Sequence, residues 1–177
     1  QATRTSHGLQ LWCALPAEHE EDEPSFVHTP ASAIPSVERP GATLRVLIGD
    51  GAKFIRETHE RFDLIALDLN DPAGPAEALY SAEFFQQCRH ALAPGGALTL
   101  HIGSPVARPE RVGELAQRLN GIFRIVRPYI MYIPLYGSLW AMAVCSDKLD
   151  PKAYTADEID RRIEQRRMTE LRFYNGE

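Results

Sequence analysis

Two aspartates stand three residues apart, Asp68 and Asp71, directly after the almost wholly apolar run Phe62 to Leu67. Carboxylates so spaced on a rigid loop suit the capture of a cation, and their mutual repulsion can raise one pKa enough to make a base. The plainer alternative for a D-x-x-D-P string is that both residues cap turns. Position separates the two readings. In open α/β sheets ligands bind in the crevice outside the carboxyl ends of the strands, and these aspartates fall just past such an end. Three more residues invite the same question: Asp50 after the run Thr43 to Ile48, His101 at the end of Ala97 to Ile102, and Tyr136 in the turn Pro134-Leu135-Tyr136-Gly137.

These side chains must be positioned by strands and helices that the pattern predicts. Phe62 to Leu67 reads as a strand buried on both faces of a parallel sheet. Pro72, Gly74 and Pro75 predict a tight, non-helical path, followed by a helix through Ala78 to Leu92, with Ser81 and Glu83 at its start and apolar Phe84, Phe85, Cys88 and Leu92 on one face. Pro94-Gly95-Gly96 predicts its stop, and Ala97 to Ile102 the next buried strand. Upstream, Thr43 to Ile48 predicts the first parallel strand and Ala52 to Glu60 a helix behind the Asp50-Gly51 turn. Downstream, Pro109 to Leu119 predicts a helix on Val112, Leu115, Ala116 and Leu119. Phe123 to Ile133 and Ser138 to Cys145 predict an antiparallel hairpin. Thr155-Ala156-Asp157-Glu158 is a capping box, and Ile159 and Ile163 give the last helix a narrow apolar stripe beside the solvated Arg161, Arg162, Arg166 and Arg167. Alternating strands and helices with right-handed crossovers predict a three-layer α/β sandwich with a C-terminal hairpin.

Length and composition narrow the class. With 177 residues and 44% hydrophobic content the chain can bury one sizeable core, so one main domain plus an appendage is expected. A formal net charge of −5 argues against nucleic acid and suits a polycationic small substrate. Cys13, Cys88 and Cys145 are odd in number and widely spaced, which argues against a disulfide framework or a zinc site and makes the cytoplasm the default compartment. The longest apolar stretch, Ile125 to Cys145, is broken by Arg127, Pro128, Pro134 and Gly137 and is no membrane span. No signal peptide is read, and the opening Gln1, in place of an initiator methionine, reads as a cut or processed start.

The string Asp68-Leu69-Asn70-Asp71-Pro72-Ala73-Gly74-Pro75-Ala76, with Leu79 and Tyr80 after it, resembles the D-x-x-D-P-x-G-P-A signature of the polyamine aminopropyltransferases, the spermidine synthase family. The resemblance extends upstream to Ile48-Gly49-Asp50-Gly51 and downstream through PGGALTLHIGSP, IPLYGSLWAMAVCSD and LRFYNGE, covering about residues 44–177, the C-terminal half of such an enzyme. It implies a partial Rossmann-like fold of the class I S-adenosylmethionine-dependent transferase type, lacking its first two strands. It also implies transfer of an aminopropyl group from decarboxylated S-adenosylmethionine, a co-substrate, to a diamine such as putrescine, with no metal and no resident cofactor. A homodimer is possible. By the same resemblance Asp68 is the base and Asp71 and Tyr136 flank the polyamine. Asp50, Gly51, Pro75, Ala76 and Leu79 contact the adenine side of the donor. His101 stands where many members carry glutamine.

On the residues alone the alternatives stay open. Asp50-Gly51 is equally a turn that opens a helix, Tyr136 an aromatic hairpin tip that packs on a neighbour, and His101 a strand-end histidine with a satisfied hydrogen bond. The glycine-rich donor loop, the ribose-binding acid and the N-terminal β-domain of such enzymes are not found in the sequence, so the 177 residues by themselves are expected to be inactive. A methyltransferase-like domain is the second reading, although no aromatic follows Pro72. A non-catalytic fusion is the third.

Residues 1–42 differ from the rest. They are dense in acids and turn-formers, with only Gly8 to Leu15 strand-like around Trp12, and are expected to be mostly irregular. Their H-G-L-Q-L-W-x-x-L-P opening and E-x-x-P-x-F pattern resemble a segment of the pirin family of cupins from about His7 to Ile48, with a junction expected near residues 44–49. That family's iron ligands lie upstream of the matching stretch, so His7, His19 and His28 are read as loop residues.

Overall fold

The structure is a computed structural model of the chain and describes residues 37–39, 42–44, 50–69, 74–168, 171 and 174–175. Two short strands, β1 (Val37–Arg39) and β2 (Ala42–Leu44), pair antiparallel with Arg39 opposite Ala42. Thr43 therefore pairs within this hairpin and not in the main sheet, which corrects the expectation that it opens the first parallel strand. Only two residues, Pro40 and Gly41, separate the paired ends, and a connection so short favours a hairpin over a crossover. The expected strand near Trp12, the three N-terminal histidines and Cys13 lie outside the described residues, as do residues 45–49.

The main sheet holds β3 (Phe62–Leu67), β4 (Leu92–Gly103), β5 (Ile125–Ile133) and β6 (Ser138–Ser146) in the order β3-β4-β6-β5. β3 and β4 run parallel, while β6 lies antiparallel to both β4 and β5. The α/β class and the C-terminal hairpin therefore stand as the sequence predicts. Among the described residues four α-helices accompany the sheet: α1 (Gly51–Glu57), α2 (Ala82–Ala91), α3 (Pro109–Asn120) and α4 (Ala156–Gln165). Helices α1, α2 and α3 touch in series, and α2 and α3 pack on β4.

Burial follows the strand period of two. On β4, Leu98, Leu100 and Ile102 are buried, and on β6 Ala141, Ala143 and Cys145. They form one core with Phe84, Phe85 and Cys88 of α2 and Leu115 and Leu119 of α3. The intervening Thr99, His101, Trp140, Met142 and Val144 face the other side of the sheet and are half-buried. Gly96 is required where β4 approaches β3, because a Cβ there would lie 2.7 Å from the Phe62 carbonyl oxygen.

Three sequence expectations are corrected here. β3 is not buried on both faces: Phe62 and Ile65 are buried, whereas Leu64 is 53% exposed. Among the described residues β3 has one sheet neighbour, β4. The path after the loop is not non-helical either, since Gly74–Tyr80 forms a 3-10 helix, a tight turn type that a single proline near its start does not prevent. The helix does not reach back to Ala78, because Ala78 to Tyr80 belong to the 3-10 helix, but α2 does begin at Ser81 as expected, the Ser81 side chain accepting the Phe84 N–H at 3.1 Å. α2 ends at Ala91, and Pro94, Gly95 and Gly96 belong to β4. The Thr155 cap of α4 forms as expected, accepting the Glu158 N–H at 3.3 Å.

Candidate active site at the carboxyl edge of β3 and β4

The parallel pair β3 and β4 ends at one edge of the sheet, and the β5–β6 hairpin rises beside it. Between them lies a crevice of about 460 Å³. Its floor is Ala66 and Leu67 of β3 with Thr99, Leu100 and His101 of β4. Asp68 and Leu69 form one wall, and Met131, Ile133, Tyr136, Trp140 and Met142 of the hairpin the other. Two of the predicted site residues, Asp68 and Tyr136, thus share one cavity, with His101 on its floor.

Each is held by its own element. Asp68 leaves β3 immediately after Leu67 has paired with Leu100. The next residue, Leu69, places its carbonyl on His101 Nε2, which also lies 2.9 Å from the Tyr80 hydroxyl. Tyr80 is buried at the end of the 3-10 helix, and its carbonyl accepts a hydrogen bond from Arg118 Nη1 of α3 at 2.6 Å. Tyr136 sits at the hairpin tip before Gly137, whose φ of +56° is the left-handed conformation that closes the turn. The Tyr136 ring is 5.0 Å from that of Trp140, which in turn lies 6.1 Å from the His101 ring. In chemical terms, aromatic rings can attract an alkylammonium and a carboxylate can accept its hydrogen bonds, and this crevice holds both kinds of group.

The other predicted residues are elsewhere. Asp50 is the N-cap of α1, where Oδ1 accepts the N–H groups of Ala52 at 2.8 Å and Lys53 at 3.2 Å, and Gly51 is the first residue of that helix. Ala76 and Leu79 are half-buried in the 3-10 helix, and Leu79 packs on the core. Pro75 lies in the same 3-10 helix, and Asp71 falls outside the described residues. Sequence reasoning missed Trp140, Met142 and Met131. The signal was the alternation in S-L-W-A-M-A-V-C: if Ala141, Ala143 and Cys145 face the core, then Trp140 and Met142 must face the crevice.

No metal-binding grouping of three or more His, Cys, Asp or Glu side chains exists among the described residues. Cys88 and Cys145 are core residues whose thiols burial pushes up to about 12, so neither is a ready nucleophile. Among the described residues no helix is long and apolar enough to cross a membrane.

The chain matches the Spermine/spermidine synthase domain family over residues 32–157. It belongs to that family. The match starts upstream of Leu44, so it takes in β1 and β2 as well. A polyamine aminopropyltransferase of Nitrosomonas europaea is 47% identical over 133 residues, covering 75% of this chain and 41% of that protein. The chain thus spans less than half the length of this curated relative. Among solved structures, a spermidine synthase in complex with the transition-state analogue AdoDATO superposes with a TM-score of 0.64 at 28% identity, over 77% of this chain and 45% of that one. Human methyltransferase-like protein 13 in complex with SAH gives a TM-score of 0.52 at 20% identity, covering 75% of this chain and 62% of that one, which is a likeness of fold alone.

Proposed function

We propose that the chain carries the amine-activating part of a polyamine aminopropyltransferase that moves an aminopropyl group from decarboxylated S-adenosylmethionine to a diamine such as putrescine. The observation that carries this reading is the single crevice that brings Asp68 and Tyr136 together at the carboxyl edge of β3 and β4.

The chemistry needs little from the protein beyond placement and proton removal. The sulfonium of the donor is already a cationic leaving group, so an amine attacks the adjacent methylene in line, the carbon–sulfur bond breaks and methylthioadenosine departs. A diamine is protonated at neutral pH, and only the free amine is a nucleophile. In the proposed site Asp68 accepts the ammonium's hydrogen bond and takes its proton, a general-base role. Tyr136 lays its ring beside the alkylammonium chain, with Trp140 behind it. Asp71 serves as the second carboxylate for the diamine. Asp50, Gly51, Pro75, Ala76 and Leu79 are proposed for the adenine side of the donor. The 177 residues alone are proposed to bind diamine weakly and to lack turnover, since the relatives extend well beyond the matched segment.

The test is release of methylthioadenosine from decarboxylated S-adenosylmethionine and putrescine, followed chromatographically, for the full-length enzyme and for the 177-residue chain. Turnover in the first that is abolished by Asp68→Asn, with folding intact, is the expected result. Methyl transfer from S-adenosylmethionine, or aminopropyl transfer indifferent to Asp68→Asn, would overturn the reading.

A further inference from the structure

His101 has an arrangement that crevice lining alone does not explain. It stands on β4, an interior strand of the main sheet, and its Nε2 meets two oxygens: the Leu69 carbonyl and the Tyr80 hydroxyl. A carbonyl only accepts, so the hydrogen must be on Nε2. The opposite tautomer would set the bare Nε2 lone pair against the Leu69 oxygen. It would also bury a donor at Nδ1, an atom that finds no partner among the described residues. Unpaired buried donors are costly, which selects the Nε2–H form.

Leu69 follows Asp68 directly, so the residue that grips its carbonyl sets the direction of the Asp68 backbone. The same ring backs Trp140, and Trp140 backs Tyr136. His101 therefore meets both walls of the crevice, Leu69 through its Nε2 and Trp140 through its ring. We propose that His101 is a positioning residue of this site: with its hydrogen on Nε2 it clasps the Leu69 carbonyl to β4, orienting Asp68, and seats Trp140 beneath Tyr136. The proposal rests on the function proposed above for its catalytic consequence, but not for the clasp itself.

Two variants separate the roles. Glutamine keeps an N–H donor that can reach the Leu69 carbonyl, whereas leucine fills the space without one. In the 15N-labelled chain, long-range proton–nitrogen spectra should show His101 as the Nε2–H tautomer. His101→Leu should lower the Leu69 amide order parameter from about 0.85 to below about 0.6, with β4 and β6 unchanged, and His101→Gln should restore it. In aminopropyl transfer by the full-length enzyme, kcat should fall about tenfold in His101→Leu with the KM for the donor within twofold, and should recover to within threefold in His101→Gln. That loss corresponds to about 1.4 kcal/mol of activation free energy. An Nδ1–H tautomer, or a His101→Leu variant with wild-type Leu69 order and kcat, would overturn the proposal. Turnover indifferent to Asp68→Asn would instead remove the proposed function, and with it the catalytic half of this one, while tautomer and order parameter still decide the clasp.

Discussion

Asp50 and Asp68 look alike in sequence and are used differently in the fold. Each follows an apolar run, and each is read as a carboxylate poised at a strand end. Asp50 is followed by Gly51, Ala52 and Lys53, which begin α1, and its oxygen is taken up by two N–H groups of that helix. Asp68 directly follows β3 and borders the crevice, and Gly74, where the next helical turn begins, is six residues further along the chain. A carboxylate two or three residues ahead of a helical turn is drawn into capping it. The helix that starts directly after Asp50 therefore marks it as a structural acid, which the apolar run before it does not.

The sharpest way to break this contrast is to neutralise each acid without changing its shape. Asp68→Asn is expected to lower kcat for aminopropyl transfer by about 10²-fold or more, the scale of a lost general base, with the fold retained. Asp50→Asn retains a capping oxygen and should leave kcat within threefold. Equal losses in the two variants would erase the distinction.

Next in size is the opposite wall. Tyr136→Ala removes the ring beside Trp140 and is expected to raise the KM for putrescine about tenfold, as loss of a partly desolvated cation–π contact worth ~1–2 kcal/mol would do. kcat should change less than it does in Asp68→Asn, because the base remains. An unchanged KM would return Tyr136 to the role of an aromatic hairpin tip.

A smaller effect sharpens the contrast from the structural side. Asp50→Ala strips two N–H groups of their acceptor and is expected to cost about 1 kcal/mol, read from urea unfolding. If capping is the whole of its work, the KM for decarboxylated S-adenosylmethionine stays within twofold. A rise of tenfold or more in that KM would show that Asp50 also reaches the donor, and the capped and crevice-facing acids would then belong to one site.

What the sequence made legible divides along the same line. Local signals were read correctly: the Ser81 and Thr155 caps, the α3 stripe, the β5–β6 hairpin and the carboxyl-edge placement of Asp68. Each depends on residues within a few positions of one another. Signals that depend on distant chain were not legible. The apolar run Phe62 to Leu67 predicts a strand that could be covered twice, but Leu64 is exposed because coverage is a property of neighbours and not of the strand. Thr43 shares its apolar surroundings with strand formers on either side, and the two-residue spacing to β1 decided its pairing. The grip of His101 on Leu69 joins residues 32 apart, and no local pattern encodes it.

The smallest effect belongs to Asp147, a third acid just past a strand end and the strictest control for the comparison. It follows β6, and partial burial pushes its carboxyl up. That push is outweighed by the hydrogen bond from Arg89 Nε at 2.7 Å and by the Arg124 N–H at 3.1 Å, so its pKa lies below the usual carboxylate value. A carboxyl whose folded pKa is depressed stabilises the fold above its unfolded pKa of about 3.9, and that contribution disappears as pH falls through the folded value. Asp147→Asn should therefore be less stable than wild type at pH 7, by no more than ~1 kcal/mol because the Arg89 pair is partly exposed. The gap in urea midpoint should narrow below about pH 4 and close in stronger acid, with kcat within twofold of wild type throughout. A gap constant from pH 7 down to pH 3 would mean that packing, not charge, holds Asp147. A fall in kcat would mean that an acid satisfied by hydrogen bonds within the fold can still govern turnover, and the contrast between Asp50 and Asp68 would lose its basis.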